Sequence, residues 1–398
     1  MIETLTDQEL AAANMARYDL GPGYPQLEPP AWCTEIVNSE EIRDASLSFP
    51  PAWNPDRSRE VDRDIERAVR RLLRIPDSAH VMSTFSGSVA LDRAMTAVVR
   101  LARHRGCTNV RVITTSPSID IMKLFLSERS EIEPTFVRAK DSSEPPFILD
   151  SQAFCEALGS SCKRFPESMH VALLTSPENP TGEIWTIEQL ESVSRLCRDL
   201  KAVLMVDHCF LLAGVQDATP PAVWDVAEPG LDWIGIWDTG KTLGLNEEKL
   251  GFIVSGGESL PEKVSSAVNT VQFGVARRQK MSLAKILSHA HFSQYTRQLR
   301  QVCRDNADVL RDTFSDHAQF LLRTPRAGSF ALIDCAHLGM TDEYIREELL
   351  KRHVGVIAGR VFFHAEPVPS SYLRLALARE PMHFKESVLK LRDELLRM

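Results

Sequence analysis

The sequence predicts an α/β fold: a three-layer large domain built on a mainly parallel sheet, followed by a smaller α+β domain. Three observations predict it. Short apolar runs recur at 110–115 (VRVITT), 171–175 (VALLT), 202–206 (AVLMV), 233–237 (WIGIW) and 250–254 (LGFIV), and amphipathic stretches such as 188–200 lie between them. Each run is about five residues of mostly β-branched or aliphatic type, as a strand buried on both faces requires, and strands alternating with helices imply βαβ units. The chain's 398 residues exceed one ordinary core. Near residue 260 the pattern changes to long helical segments, 283–315 the clearest. After them come apolar runs at 330–334 (FALID) and 372–377 (YLRLAL), with a helix at 342–352 between them.

In chain order, residues 1–50 are Pro-rich and irregular and read as an arm. A helix follows at 57–74, then a strand at 79–84. The expected division is an arm over 1–50, a large domain over 51–285 and a small domain over 286–398. Ligands of such sheets bind beyond the carboxyl ends of the strands.

Composition narrows the function classes. The chain is 43% hydrophobic and 25% charged with a formal net charge of −8, which opposes a general nucleic-acid or acidic-membrane binder. The densest basic stretch, Arg63 to Arg74, is interleaved with acids and apolar residues at helical spacing, as on a solvated helix. No apolar run approaches membrane-spanning length, and the first 20 residues lack the basic and apolar regions of a signal peptide. Eight cysteines include no C-x-x-C pair, so neither a zinc knuckle nor a redox pair is indicated. Thiols in a reducing cytoplasm are expected.

Five short elements carry the chemistry. Ser86-Gly87-Ser88 opens a helix on which Leu91, Met95, Val98 and Ala102 share a face. Small residues at a helix start expose N–H groups and make an anion site, or simply a serine cap. Ser176-Pro177-Glu178-Asn179-Pro180-Thr181-Gly182 turns the chain after a strand and aims Asn179 at the sheet edge. Asp207 ends another strand 28 residues later. A carboxylate there needs a cationic partner, a pyridinium N–H or an ordinary salt bridge. Asp238-Thr239-Gly240-Lys241 ends the next strand, where a partly desolvated amine forms Schiff bases, although a lone lysine is usually a surface group. Arg374 sits between Leu373 and Leu375, suited to clamping a carboxylate or to an exposed strand face.

The ordered set Asn-Pro-Thr-Gly, Asp207 and Lys241 resembles the class I/II aminotransferase family, fold type I of the pyridoxal 5′-phosphate (PLP) enzymes. Asp19-Leu20-Gly21-Pro22-Gly23-Tyr24-Pro25 and Gly355-Val356 through Gly359 resemble further family segments. The resemblance implies that Lys241 carries PLP as an internal aldimine and shuttles a proton at Cα, and that Asp207 keeps the pyridine nitrogen protonated. It implies that Asn179 binds the ring oxygen and that Ser86, Gly87 and Ser88 cradle the phosphate. Thr239 and Lys249 complete the cofactor set. Arg374 binds the substrate α-carboxylate, with Gly23, Tyr24 and His364 beside it. A homodimer sharing its active sites is implied too, with an amino acid as the small-molecule substrate.

The chain also departs from the family. Phe210 stands where the family has a tyrosine, Ile119 where an aromatic stacks on the ring, Lys249 where an arginine binds phosphate, and Asp238 where a serine does. Asp238 repels a phosphate unless it pairs with Lys249 or faces away. The D-T-G-K spelling, Lys249, Phe363-His364-Ala365-Glu366-Pro367 and Leu373–Arg379 resemble a subgroup that includes PLP-dependent arginine oxidases of natural-product pathways, although Met15 stands near the place of that subgroup's N-terminal histidine.

Three functions are therefore expected in order: specialised Cα chemistry through an external aldimine and quinonoid (oxidation, elimination or replacement, or cyclisation), ordinary transamination, and a non-catalytic PLP sensor. Asp19, Glu178 and His208 are further pocket candidates, and Arg277 and Arg278 are candidates for reaching a neighbouring site.

Overall fold

The computed structural model describes residues 7–47, 55–141, 147–272, 274–366, 368 and 371–398; Pro367 of the C-terminal motif lies outside them. Seven strands form the main sheet, in the order His80–Thr84, Gly251–Gly256, Trp233–Asp238, Val203–Asp207, Met169–Thr175, Val110–Ser116 and Ile132–Arg138. The sheet is mainly parallel, as predicted. Gly251–Gly256 alone runs antiparallel to both neighbours. The central strands Met169–Thr175, Val203–Asp207 and Trp233–Asp238 are buried at every position, which explains runs with no polar alternation. The edge strand Ile132–Arg138 escapes the sequence reading because its IEPTFVR spelling mixes exposed charge with a proline.

Register decides what meets at the carboxyl edge. Thr175 pairs with Asp207 and Asp207 with Ile236, while Gly251 pairs with both Asp238 and Thr84. Four strand ends therefore deliver their next residues to one place. Helices cover both faces. Gly87–His104 starts where the Ser86 side chain accepts the N–H of Val89, and it buries Leu91, Met95, Val98 and Ala102 together. Ile187–Leu200 opens with a capping box in which Thr186 and Gln189 each accept the other's backbone N–H.

A second, antiparallel sheet orders Leu321–Arg323, Phe330–Asp334, Tyr372–Ala376 and Ile357–Ala358, with its own apolar core. The helix predicted over 283–315 is two helices, Arg277–Leu287 and Phe292–Phe314. The chain breaks at Ser288–His291, where the His289 ring stacks on Trp32 at 4.3 Å. The polar and apolar pattern continues through the break, so periodicity alone does not reveal it.

The N-terminal arm is less irregular than expected. It contains the helices Asp7–Asn14, Ala31–Val37 and Glu40–Leu47, and Tyr18–Asp19 pairs in parallel with Val354–Gly355. Gly355 also lets the helix Asp7–Asn14 approach: a Cβ there would lie 2.4 Å from the Ala13 carbonyl oxygen.

Candidate functional site

One cavity of about 250 Å³ opens at the carboxyl edge of the main sheet, against the second sheet. It is lined by Ser86, Gly87 and Ser88 from the helix start, Asn179 and Asp207 from two strand ends, and Phe210, Lys241 and Lys249 from the loops that follow. Arg374 reaches it from the second sheet, and Gly23 and Tyr24 from the arm. Elements up to 351 residues apart thus converge, from Gly23 to Arg374.

Two of the predicted site residues lie elsewhere. The fully buried Thr239 hydroxyl accepts the N–H of Leu250 and donates to its carbonyl, joining two strands rather than facing the cavity. His364 lies behind the cavity wall, where its Nε2 donates to the Ile119 carbonyl at 3.0 Å; a carbonyl only accepts, which fixes that tautomer. Burial lowers its pKa. His364 therefore supports Ile119, which lines the cavity.

Asp207 is buried, and its Oδ1 accepts the N–H of Cys209 at 2.9 Å. Desolvation raises its pKa, and the nearby Asp238 carboxylate adds to this while Lys241 opposes it. An acid in this state gains from a cationic partner in the cavity. Lys241 Nζ lies 5.6 Å from the centre of the Phe210 ring. That ring meets Phe330 edge-on at 5.0 Å, so carbon rather than a hydroxyl faces the amine.

Arg374 is almost wholly buried. Its Nη2 donates to the Gly21 carbonyl at 2.6 Å and its Nη1 to Asn179 Oδ1 at 3.2 Å. The guanidinium lies over Phe330 at 4.3 Å and Phe362 at 4.8 Å. Burial lowers its pKa to about 10, so it stays charged at neutral pH. Its Nε is buried without a hydrogen-bond partner. Because Arg374 engages the Asn179 oxygen, the amide nitrogen of Asn179 is the end left for a ligand.

Asp19, Glu178 and His208 are held by structural partners. Asp19 accepts from Gly21 N and Gln26 Nε2. Glu178 is buried and accepts from Thr115 Oγ1 at 3.1 Å; desolvation pushes its carboxyl well above the usual carboxylate range. His208 has both nitrogens bonded, Nδ1 to the Ser176 carbonyl and Nε2 to the N–H of Val223, each at 3.0 Å. Arg277 lines a separate surface groove with Glu60 and Asp64, and Arg278 pairs with Glu248. Asp120, Cys209, Asn246 and Phe330 also line the cavity. Asp120 follows Ile119 directly and Cys209 lies two residues after Asp207, so their places beside singled-out residues are a signal in the sequence; Asn246 and Phe330 carry none.

These residues suit a phosphorylated pyridine aldehyde: a buried carboxylate for the ring nitrogen, an amine, an amide donor, and a helix start so tight that a Cβ on Gly87 would lie 2.9 Å from Cys209 Sγ. Fold and cavity together define a PLP-dependent enzyme of the aminotransferase fold. The chain belongs to the class I and II aminotransferase family, whose model matches residues 127–386. Among curated relatives it is similar to the protein MalY of Escherichia coli, 23% identical over 225 residues, or 54% of this chain and 56% of MalY. Among solved structures it resembles MppP soaked with the product 2-ketoarginine (21% identity, 94% of this chain and 99% of that one, TM-score 0.75). It also resembles YbdL of Escherichia coli, described as having a methionine aminotransferase function (19% identity, 98% and 97% coverage, TM-score 0.78). Among the described residues no helix is long and apolar enough to cross a membrane.

Proposed function

We propose that the chain binds an L-amino acid and acts at its Cα, with bound PLP supplying the electron sink for the bond broken there. Lys241 carries the cofactor and moves the Cα proton. Asp207 holds the proton of the pyridine nitrogen, and the Asn179 amide donates to the ring oxygen. Ser86, Gly87, Ser88 and Lys249 hold the phosphate. Arg374 receives the α-carboxylate, with Gly23 and Tyr24 as the adjoining wall.

The reaction assigned is specialised biosynthetic chemistry, namely oxidation, elimination or replacement, or cyclisation. The observation that carries it is the ring environment: Phe210 and Ile119 line the cavity where the family offers a phenolic donor and an aromatic face. A ring oxygen with fewer donors and a face covered by an aliphatic chain alter where negative charge rests, and hence which proton or group leaves next. Ordinary transamination is the second reading, supported by the description of YbdL. The panel of substrates includes basic amino acids, because Asp120 lines the cavity and the MppP structure was soaked with 2-ketoarginine.

The test follows the visible spectrum, dissolved oxygen and ammonia as the loaded enzyme meets each amino acid. Oxygen uptake, or ammonia with a leaving group and an unchanged cofactor, is the expected result. Conversion to the pyridoxamine form that a 2-oxo acid reverses, with neither of those, replaces the first reading by the second.

The proposal extends to a homodimer in a reducing, cytoplasmic setting, with domains over 51–285 and 286–398. The eight free cysteines support the reducing compartment, and the separate cores of the two sheets support the division. Light scattering of the purified protein reads the dimer.

A further inference from the structure

Asp238 ends the strand Trp233–Asp238, three residues before Lys241, and is 4% exposed. Its Oδ1 accepts the N–H of Gly240 and its Oδ2 the N–H of Gly87. The first bond caps the short turn Thr239–Lys241. The second crosses to the start of the helix Gly87–His104 and occupies one of the free N–H groups that a helix start offers an anion.

The loop bearing Gly87 has no room to retreat. A Cβ on Gly251, in the strand beneath, would lie 2.1 Å from the Ser86 carbonyl oxygen and 2.7 Å from Gly87 N, and one on Gly87 would lie 3.0 Å from Asp238 Oδ2. Lys249, the nearby cation, does not neutralise the carboxylate. Its stem passes Gly240, where a Cβ would meet Lys249 Cδ at 3.0 Å, and it forms no ion pair among the described residues. Asp238 thus neither faces away from the cradle nor pairs with Lys249.

We propose that Asp238 competes with the cofactor's phosphate for the Gly87 N–H and sets a negative charge against it. The chain then holds PLP less tightly than the same cradle without that charge, and discriminates less between PLP and dephosphorylated pyridoxal. Like charges side by side disfavour the doubly charged phosphate, while the uncharged end of pyridoxal is indifferent to them. This rests on the reading of Ser86, Gly87 and Ser88 as the phosphate cradle and of Lys241 as the cofactor's anchor.

The experiment titrates cofactor-free protein with PLP and, separately, with pyridoxal, and measures dissociation constants by equilibrium dialysis and tryptophan quenching. Wild type, Asp238→Asn and Asp238→Ser are compared, with melting curves to establish folding. Asparagine keeps an acceptor for one N–H and loses the charge; serine is the short variant if asparagine disturbs the turn. Both are expected to bind PLP more tightly by about tenfold or more, with pyridoxal affinity changed by less than about twofold. Inorganic phosphate, as a competitor of PLP binding, is expected to show a lower inhibition constant in the variants than in wild type. Unchanged or weaker PLP binding, or an equal gain for both ligands, overturns the proposal. Lys241→Ala is run alongside: if it keeps the visible PLP band, the site itself is misassigned and the proposal falls with it, an outcome distinct from failure of the Asp238 variants alone.

Discussion

At the scale of single residues, His208 shows how a candidate acid/base becomes a structural group. Its two nitrogens bond backbone partners on either side, which requires a neutral ring. Burial pushes its pKa from 6.5 down to about 4. Between those values the unfolded chain takes up a proton that the folded chain refuses. The stability is therefore full above pH 6.5 and falls as pH drops toward 4, by up to about 3 kcal/mol from this group. Burial lowers the pKa of His80, His170 and His364 as well, so they act in the same direction. His208→Gln offers one donor and one acceptor without titrating. Its urea midpoint is expected to fall less steeply than that of wild type between pH 6.5 and 4.5; an equal slope contradicts the assignment. The identity of His208 was legible in the sequence, but its partners, the Ser176 carbonyl and the Val223 amide, were not.

At the scale of elements, the turn after Met169–Thr175 must hold Asn179 still. Gly182 has φ of +70°, and a Cβ on it would lie 2.0 Å from Pro325 Cβ and 2.4 Å from the Ala327 carbonyl oxygen. The N–H of Ala327 donates to the Gly182 carbonyl, so this turn and the loop entering the second sheet lock together. Gly182→Ala is expected to destabilise by about 3 kcal/mol or more, combining left-handed backbone cost with overpacking. Gly159, within the helix Ser151–Arg164, faces open space, and Gly159→Ala is expected to stabilise by about 0.5–1 kcal/mol. Thermal melts of the two variants that shift in the same direction contradict this account. The strands and turns were legible because β-branched runs end in Pro, Asn and Gly. The break at Ser288–His291 was not, because stacking of His289 on Trp32 is a contact between distant segments.

At the scale of the whole molecule, Arg379 ties the arm to the C-terminal sheet. It is fully buried and donates to the carbonyls of Asp19, Pro22, Tyr24 and Ala378. Gly21, in the same segment, accepts from Arg374, so the arm carries one wall of the cavity. Arg379→Met leaves buried carbonyls unsatisfied and is expected to cost about 3 kcal/mol or more. It is also expected to raise KM for the amino acid and to expose the segment between Tyr18 and Gln26 to protease. A variant with unchanged melting temperature and KM contradicts that role. By itself the sequence determined the alternation of strands and helices, the family and the chemical types at the strand ends, because periodicity and turn chemistry are local and the ordered Asn179, Asp207 and Lys241 recur at set spacings. Only the tertiary structure decided which groups share the cavity. Thr239 and His364 are turned away, Asp120 and Phe330 are brought in, and the Asp238 carboxylate lies on the Gly87 amide. Strand register and the direction of each side chain at a strand's last residue settle such matters, and both are fixed by packing between segments far apart in the chain.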